Sequence, residues 1–198
     1  MTIKAFDFIE NSVRRFKIII WIILNYYRFK HLGVRSYIYN STRVSGHKNI
    51  YIGNRTGLSE FAWLMVDTSV NTTPQLVIGD DVYIGRLLHL VCFDEIIIEN
   101  SVLIADKVYI SDNLHDYHDI LKPIKEQPII VKNKVRIGSG SWIGENVSII
   151  GANVGKNSVI AAHSVVTKDI PDYCVAAGIP AKIIKRYDFD RAEWIKVD

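Results

Sequence analysis

Aliphatic residues recur at every sixth position through most of the chain. Ile78, Ile84 and Leu90 form one run, and Ile98, Ile104 and Ile110 form the next. Ile137, Ile143 and Ile149 follow, then Val154 and Ile160, and an earlier start shows at Val44 and Ile52. Each unit has an aliphatic residue first, a small residue second, polar residues third and fourth, and a small or β-branched residue fifth, as in Ile78-Gly79-Asp80-Asp81-Val82. Neither an α-helix nor a two-sided strand has this period. A short strand followed by a tight turn does. The aliphatic side chain points inward, and Gly or Asn at the corner is expected to accept the turn dihedrals. Stacked coils then bury an aliphatic ladder, each coil covering its neighbour. The pattern predicts an all-β coil domain over residues 37–187.

A different period rules the N-terminus. Phe6, Ile9, Val13, Phe16, Ile20, Ile23/Leu24 and Tyr27 are spaced by threes and fours, which predicts a helical arm within residues 1–36. From Ile18 to Leu24 the arm is apolar all round, whereas a surface helix needs one apolar stripe. It must therefore bury a second face. One reading packs it on the coils or between subunits. The other is a peripheral membrane contact through residues 5–30, with Arg14, Arg15, Lys17, Arg28 and Lys30 flanking the apolar block and Trp21, Tyr26 and Tyr27 suited to an interface. Its seven-residue apolar run is too short to span a bilayer, which takes roughly 20 residues. Residues 188–198 read as a C-terminal tail.

Charge sharpens this division. Residues 1–35 hold seven Lys/Arg and two Asp/Glu, while the remainder holds 17 Lys/Arg and 19 Asp/Glu. The basicity belongs to the arm, so the body has no electrostatic footprint for nucleic acid. Two cysteines, Cys92 and Cys174, make no disulfide framework and fit a reducing, cytoplasmic compartment. Both are read as structural.

The repeat breaks once. Between Ile110 and Val131 the period lapses, and residues 112–130 form a protruding loop with His115, His118, Asp112, Asp116 and Asp119. After the repeat resumes, the stretch from Trp142 to Arg186 ends in Ala-Ala-Gly-Ile-Pro-Ala-Lys-Ile-Ile-Lys-Arg. Together these resemble the hexapeptide-repeat acyltransferases, in the branch of maltose and galactoside O-acetyltransferases and their polysaccharide-modifying relatives. The resemblance covers about residues 44–187 and implies a left-handed parallel β-helix, a homotrimer with sites between subunits, and acetyl-CoA as acyl donor with no metal. Trp142 then flanks the cofactor channel, and Ala162 offers backbone to the pantetheine arm. Thr167 and Lys168 lie near the adenine. Lys182 and Lys185, with Arg186 beside them, meet the phosphates, as cations do.

By the same resemblance Ser111-Asp112-Asn113-Leu114-His115-Asp116-Tyr117 carries the catalytic histidine. His115 takes that position, and Asn113 stands where relatives have another histidine. Imidazole suits the task, because a sugar hydroxyl must lose its proton as it attacks and a pKa near ~6.5 accepts it at neutral pH. Asp112 and Asp116 are the acids nearest in sequence. A coil of about 18 residues plus the two-residue slip after Leu90 sets Asp94 and Glu95 one coil below His115. The orienting or acceptor-binding candidates are thus Asp112, Asp94, Glu95, Asn113 and Tyr117. Gly85, followed by Arg86, stands where maltose-type enzymes have asparagine, so the acceptor-side hydrogen bonding is expected to differ and neither maltose nor a galactoside is the expected acceptor. His89 is expected outward at a sixth position, and His163 packed at a corner. The chain is read as an acetyl-CoA-dependent O-acetyltransferase acting on a sugar of a bacterial surface polysaccharide or its precursor, cytoplasmic or peripheral at the inner membrane. The alternatives are a serine or xenobiotic acetyltransferase, a non-catalytic β-helix scaffold, and a γ-class carbonic anhydrase-like protein with zinc on His89, His115 and His118.

Overall fold

The computed structural model describes residues 3–39 and 41–197. The coils wind as a left-handed parallel β-helix of three sheets. In the order the chain visits them, the first sheet runs from His31–Leu32 to Val135–Ile137, the second begins at Tyr37–Ile38, and the third at Arg43–Ser45. The stack thus starts at His31, a few residues before the boundary expected from sequence. His31 and Leu32 pair in register with Tyr51 and Ile52.

The inward positions form three aliphatic columns. Leu32, Ile52, Ile78, Ile98, Ile137, Val154 and Ile170 are successive partners in the first sheet. Ile38, Leu58, Ile84, Ile104, Ile143, Ile160 and Ala176 do the same in the second. Leu64, Leu90, Ile110, Ile149 and Val166 do so in the third. All of these are buried, and each Ile or Leu so placed contributes about 1.5–3 kcal/mol.

The corners correct the expected role of glycine in part. Positive φ falls at the fourth position of the unit, on Gly140 as expected, but also on Asp81, Leu87, Ser101, Lys107, Asn146 and Asn157. These non-glycine residues hold the left-handed conformation because the stack fixes them: Asp81, Ser101 and Lys107 each donate their N–H to a carbonyl of the preceding coil, at 2.7–2.9 Å. The glycines answer a different demand. The Asp106 carboxylate reaches down to accept the Arg86 N–H at 2.8 Å, and a Cβ on Gly85 would lie 2.5 Å from Asp106 Oδ1. Asn100 treats Asp80 the same way over Gly79. Gly followed by Asp or Asn is therefore a coil-to-coil contact, read one coil apart.

Both ends are covered. Helix α1 (Ile3–Asn25) lies on the first coil with Ile18 buried and Trp21 and Ile22 packed against the core. Phe29 seals that end, 6.2 Å from the Trp21 ring. The side chains of Phe6, Ile9 and Arg14 lie outside the described residues. At the other end Ala181–Asp188 and Glu193–Lys196 extend the second sheet antiparallel, so the expected tail carries a strand.

Gly85→Ala is expected to lower the unfolding free energy by ~1–3 kcal/mol through overpacking, and Asp106→Ala by about 1–3 kcal/mol through the stranded Arg86 N–H. The double variant should lose less than the sum of the two, measured by denaturant midpoints.

Candidate active site

The excursion leaves at the corner between the third and first sheets. Asn113–His115 pairs antiparallel with Ile129–Val131, making a hairpin outside the coil stack. Its root is the Asp112 carboxylate, which is fully buried. Asp112 accepts N–H groups from Phe93 at 2.9 Å and Asp94 at 2.7 Å, and the Asn113 amide at 2.9 Å. Asn113 also donates to the Val91 carbonyl at 3.1 Å. A buried charge requires such a set of donors. Asp112 and Asn113 therefore clamp the hairpin to the coil beneath it.

This revises the expected placement of the acids. The group that reaches over the Asp94 N–H is the Asp112 carboxylate. Asp94 itself accepts from Asn71 at 2.6 Å, and Glu95 pairs with Lys134 at 3.2 Å. The hairpin carries His115 outward, so among the described residues no hydrogen bond engages its ring. Asp116 pairs with His118 instead, which holds its carboxyl below the ordinary carboxylate range. The His118 ring stacks on Tyr117 at 5.1 Å, and that group stands on the exposed loop.

His115 stands at a cleft of about 330 Å³ between the hairpin and the outer face of the third sheet, lined also by Trp63, Met65, His89, Val91 and Tyr109. On that face one residue per coil stacks in register: Arg43, Trp63, His89 and Tyr109. The Arg43 guanidinium lies 5.0 Å over Trp63, and the Trp63 and His89 rings are parallel at 4.5 Å. Burial pushes the His89 pKa below its ordinary value. Trp63 Nε1 and His89 Nε2 are both shielded from solvent without a hydrogen-bond partner among the described residues. Trp63 had no place in the sequence reading, and His89 was expected merely outward. Period-six spacing of aromatics at Trp63 and of His89 after Tyr83 carries that signal only once the coil lengths are known. Among the described residues no three of His, Cys, Asp and Glu come together as a metal-ligand set. His89 lies in the stack, and His118 lies with Asp116.

Most of the residues expected to hold the cofactor fall on other faces. Trp142, Val159, Val175 and Lys185 are successive partners on the outside of the second sheet. Lys182 pairs with Ala177, two residues along from Val175. Lys182 and Lys185 would face opposite sides of a regular strand. A bulge at this point removes one residue from the pairing, and both lysines then share the face of Trp142. Arg186 pairs with the buried Cys174 and so belongs to the opposite face. Ala162 is exposed at the corner between the second and third sheets, beside His163, whose φ is +60°. Thr167 and Lys168 are at the corner between the third and first sheets, the same edge from which the His115 hairpin departs. One chain thus keeps His115 and the Trp142–Lys185 face apart.

No protein-family profile matches the chain. It is 35% identical over 141 residues to galactoside O-acetyltransferase of Escherichia coli, covering 70% of this chain and 68% of that one. The chain belongs to the hexapeptide-repeat acetyltransferase family. WbbJ of Escherichia coli, named as a lipopolysaccharide biosynthesis O-acetyl transferase, is 34% identical over 125 residues, covering 60% of this chain and 64% of WbbJ. The chain spans only 36% of the length of a Mycobacterium tuberculosis acetyltransferase to which it is 46% identical over 108 residues, 54% of this chain. Among solved structures, the hexapeptide-repeat acetyltransferase VCA0836 of Vibrio cholerae, complexed with acetyl coenzyme A, superposes with a TM-score of 0.61 at 25% identity, covering 84% of this chain and 75% of that one.

Asp112→Ala should cost about 3 kcal/mol, because the Phe93 and Asp94 N–H groups lose a charged acceptor. Its check is equilibrium unfolding. His89, with its folded pKa depressed, takes up a proton more readily when unfolded. Stability should therefore fall as pH drops below about 6.5. His47, depressed by burial and by Arg28, adds to the same slope. His89→Phe should flatten the pH-stability curve by its own share, read from thermal midpoints across that range.

Proposed function

We propose that this chain is an acetyl-CoA-dependent O-acetyltransferase that modifies a sugar hydroxyl of a bacterial surface polysaccharide or its precursor. The observation that carries this reading is His115, held outward by the Asp112–Asn113 clamp at the mouth of a cleft, with its ring uncommitted. His115 takes the proton of the acceptor hydroxyl as that oxygen attacks the thioester carbonyl. The tetrahedral intermediate then expels the coenzyme A thiolate, which recovers the proton from the imidazolium. The products are the sugar acetate and free coenzyme A. The thiolate is a good leaving group, so the step needs neither a metal nor an acyl-enzyme.

The cofactor reading rests on Trp142, Lys182 and Lys185 sharing one face, with Ala162 at its edge and Thr167 and Lys168 one sheet away. Arg186, on the reverse face, has less support than the two lysines. Galactoside O-acetyltransferase and WbbJ support a sugar acceptor, and WbbJ supports the polysaccharide setting. The acceptor cleft lies on the N-terminal side of His115 and the donor face mostly on the C-terminal side. Asp94, Glu95 and Tyr117 remain as acceptor contacts, and Asp112 and Asn113 act as positioning residues. The separation of His115 from the Trp142 face supports a homotrimer whose sites are completed by a second copy. The exposed Ile120, Leu121 and Ile124 at the tip of the excursion supply an apolar surface for that copy. Acetyl-CoA as donor and the two free cysteines support a cytoplasmic setting for the reaction. Peripheral contact of residues 5–30 with the inner membrane belongs to this reading, since a lipid-linked acceptor is met there.

Turnover of acetyl-CoA against a panel of sugar acceptors, followed by free-thiol release, tests the proposal, and no acceptor-dependent release would reject it. His115→Ala should lower kcat ~10²–10⁴-fold with acetyl-CoA affinity nearly unchanged. If His118→Ala abolished turnover and His115→Ala did not, the base would be misassigned. Replacing Lys182 and Lys185 together with Ala should raise the KM for acetyl-CoA and leave the acceptor KM in place, with the gap narrowed for a dephospho-coenzyme A thioester.

A further inference from the structure

Helix α1 has two apolar faces, and the structure uses one. Ile18, Trp21 and Ile22 are turned to the first coil, with Ile18 only 9% exposed. The opposite side carries Phe16, Ile19, Ile20, Ile23, Leu24 and, on the turn that follows, Tyr27. All are exposed, Phe16 at 63%, Ile23 at 69% and Tyr27 at 80%. Their spacing of threes and fours makes one continuous stripe along the helix. Val34, 71% exposed, continues the patch on the first coil.

The surroundings of the stripe are uniformly basic. From residue 11 to residue 59 the sequence holds nine Lys/Arg and no Asp or Glu. Arg15 and Lys17 flank the stripe on the helix, and Arg28, Lys30, Arg35 and Lys48 are exposed around the same end of the coil stack. Among the described residues no helix is long and apolar enough to cross a membrane.

We infer that this end of the molecule docks on an anionic lipid surface, with the Phe16–Tyr27 stripe sunk among the acyl chains and the surrounding cations at the head groups. A helix with such a stripe lies in the interface plane, buried roughly 5–10 Å. The charge decides between lipid and a second copy of this chain. Two arms joined stripe to stripe would bring the cations flanking residues 16–27 together with only Asp7 and Glu10 as acids on each arm, whereas an anionic leaflet attracts every one of those cations. Because the helix is fastened to the first coil through Ile18, Trp21 and Ile22, docking it also presents that coil, rather than the C-terminal strands, to the bilayer. The inference extends the peripheral-contact part of the reading above and rests on that part; it does not depend on the chemistry at His115.

The experiment is co-sedimentation of the full-length protein with vesicles of pure phosphatidylcholine and with vesicles holding about 30 mol% phosphatidylglycerol. Binding to the anionic vesicles should be at least ~tenfold tighter, and ~0.5 M salt should remove most of that preference. The double variant Phe16→Glu/Ile23→Glu should stay in the supernatant with an unchanged melting temperature, since neither side chain packs on the coil. It should keep wild-type turnover on a soluble acceptor, while His115→Ala should pellet like wild type. Wild type that ignores anionic vesicles overturns the inference, as does a double variant that pellets normally. A sedimentation mass that drops in the double variant, without vesicle binding in wild type, assigns the stripe to a second copy. Vesicle binding without acetyl transfer rejects only the catalytic reading, and transfer without vesicle binding rejects only this one.

Discussion

Each coil of this protein is completed by the next. A single coil exposes rows of backbone N–H and C=O along both edges, and only a neighbour at the inter-strand spacing of about 4.8 Å satisfies them. That constraint locks register along the whole length. It makes Ile78 partner Ile52 and Ile98 on the inside, and it makes His89 partner Trp63 and Tyr109 on the outside. It also explains the corners. A left-handed Leu87 is tolerable because its N–H is bonded to the Glu60 carbonyl at 3.0 Å, so the stack offsets the local strain.

A backbone committed in this way leaves few places for chemistry. Outward columns, corners and excursions are free to vary while the inward columns are not. The excursion at Asp112 is the largest departure, and it requires its own anchor. The Asp112 carboxylate stands in for the coil that is missing there, accepting the Phe93 and Asp94 N–H groups. Lys132 closes the return by donating to the Ile150 carbonyl at 2.9 Å. His115 can then project from a rigid root, as its proposed role of base requires.

The ends obey the same constraint in reverse, since the last edge must stop growing. At the C-terminus the chain turns antiparallel, and the bulge beside Ala176 that this turn introduces is also what aligns Lys182 with Lys185. At the N-terminus a helix lies on the first coil instead, and its second apolar face is exposed.

The aliphatic period, the break at 112–130 and the helical arm were legible along the sequence, because inward packing writes itself into residue type at fixed intervals. His115 entered as the candidate base through its resemblance to a known motif. The glycine corners were legible in position but not in cause, since the clash that demands Gly85 comes from Asp106 in the next coil. Coil length was the missing quantity. Even turns set Glu95 beneath His115, whereas in the structure the Asp112 carboxylate reaches over the Asp94 N–H and His115 is carried on the hairpin outside the stack. Tertiary structure alone decided that Trp63, His89 and Tyr109 form one stack, that a bulge unites two lysines of opposite parity, and that only one face of the arm is used. Each depends on which residue lies one coil above another, and local sequence carries no record of that until the coils are closed.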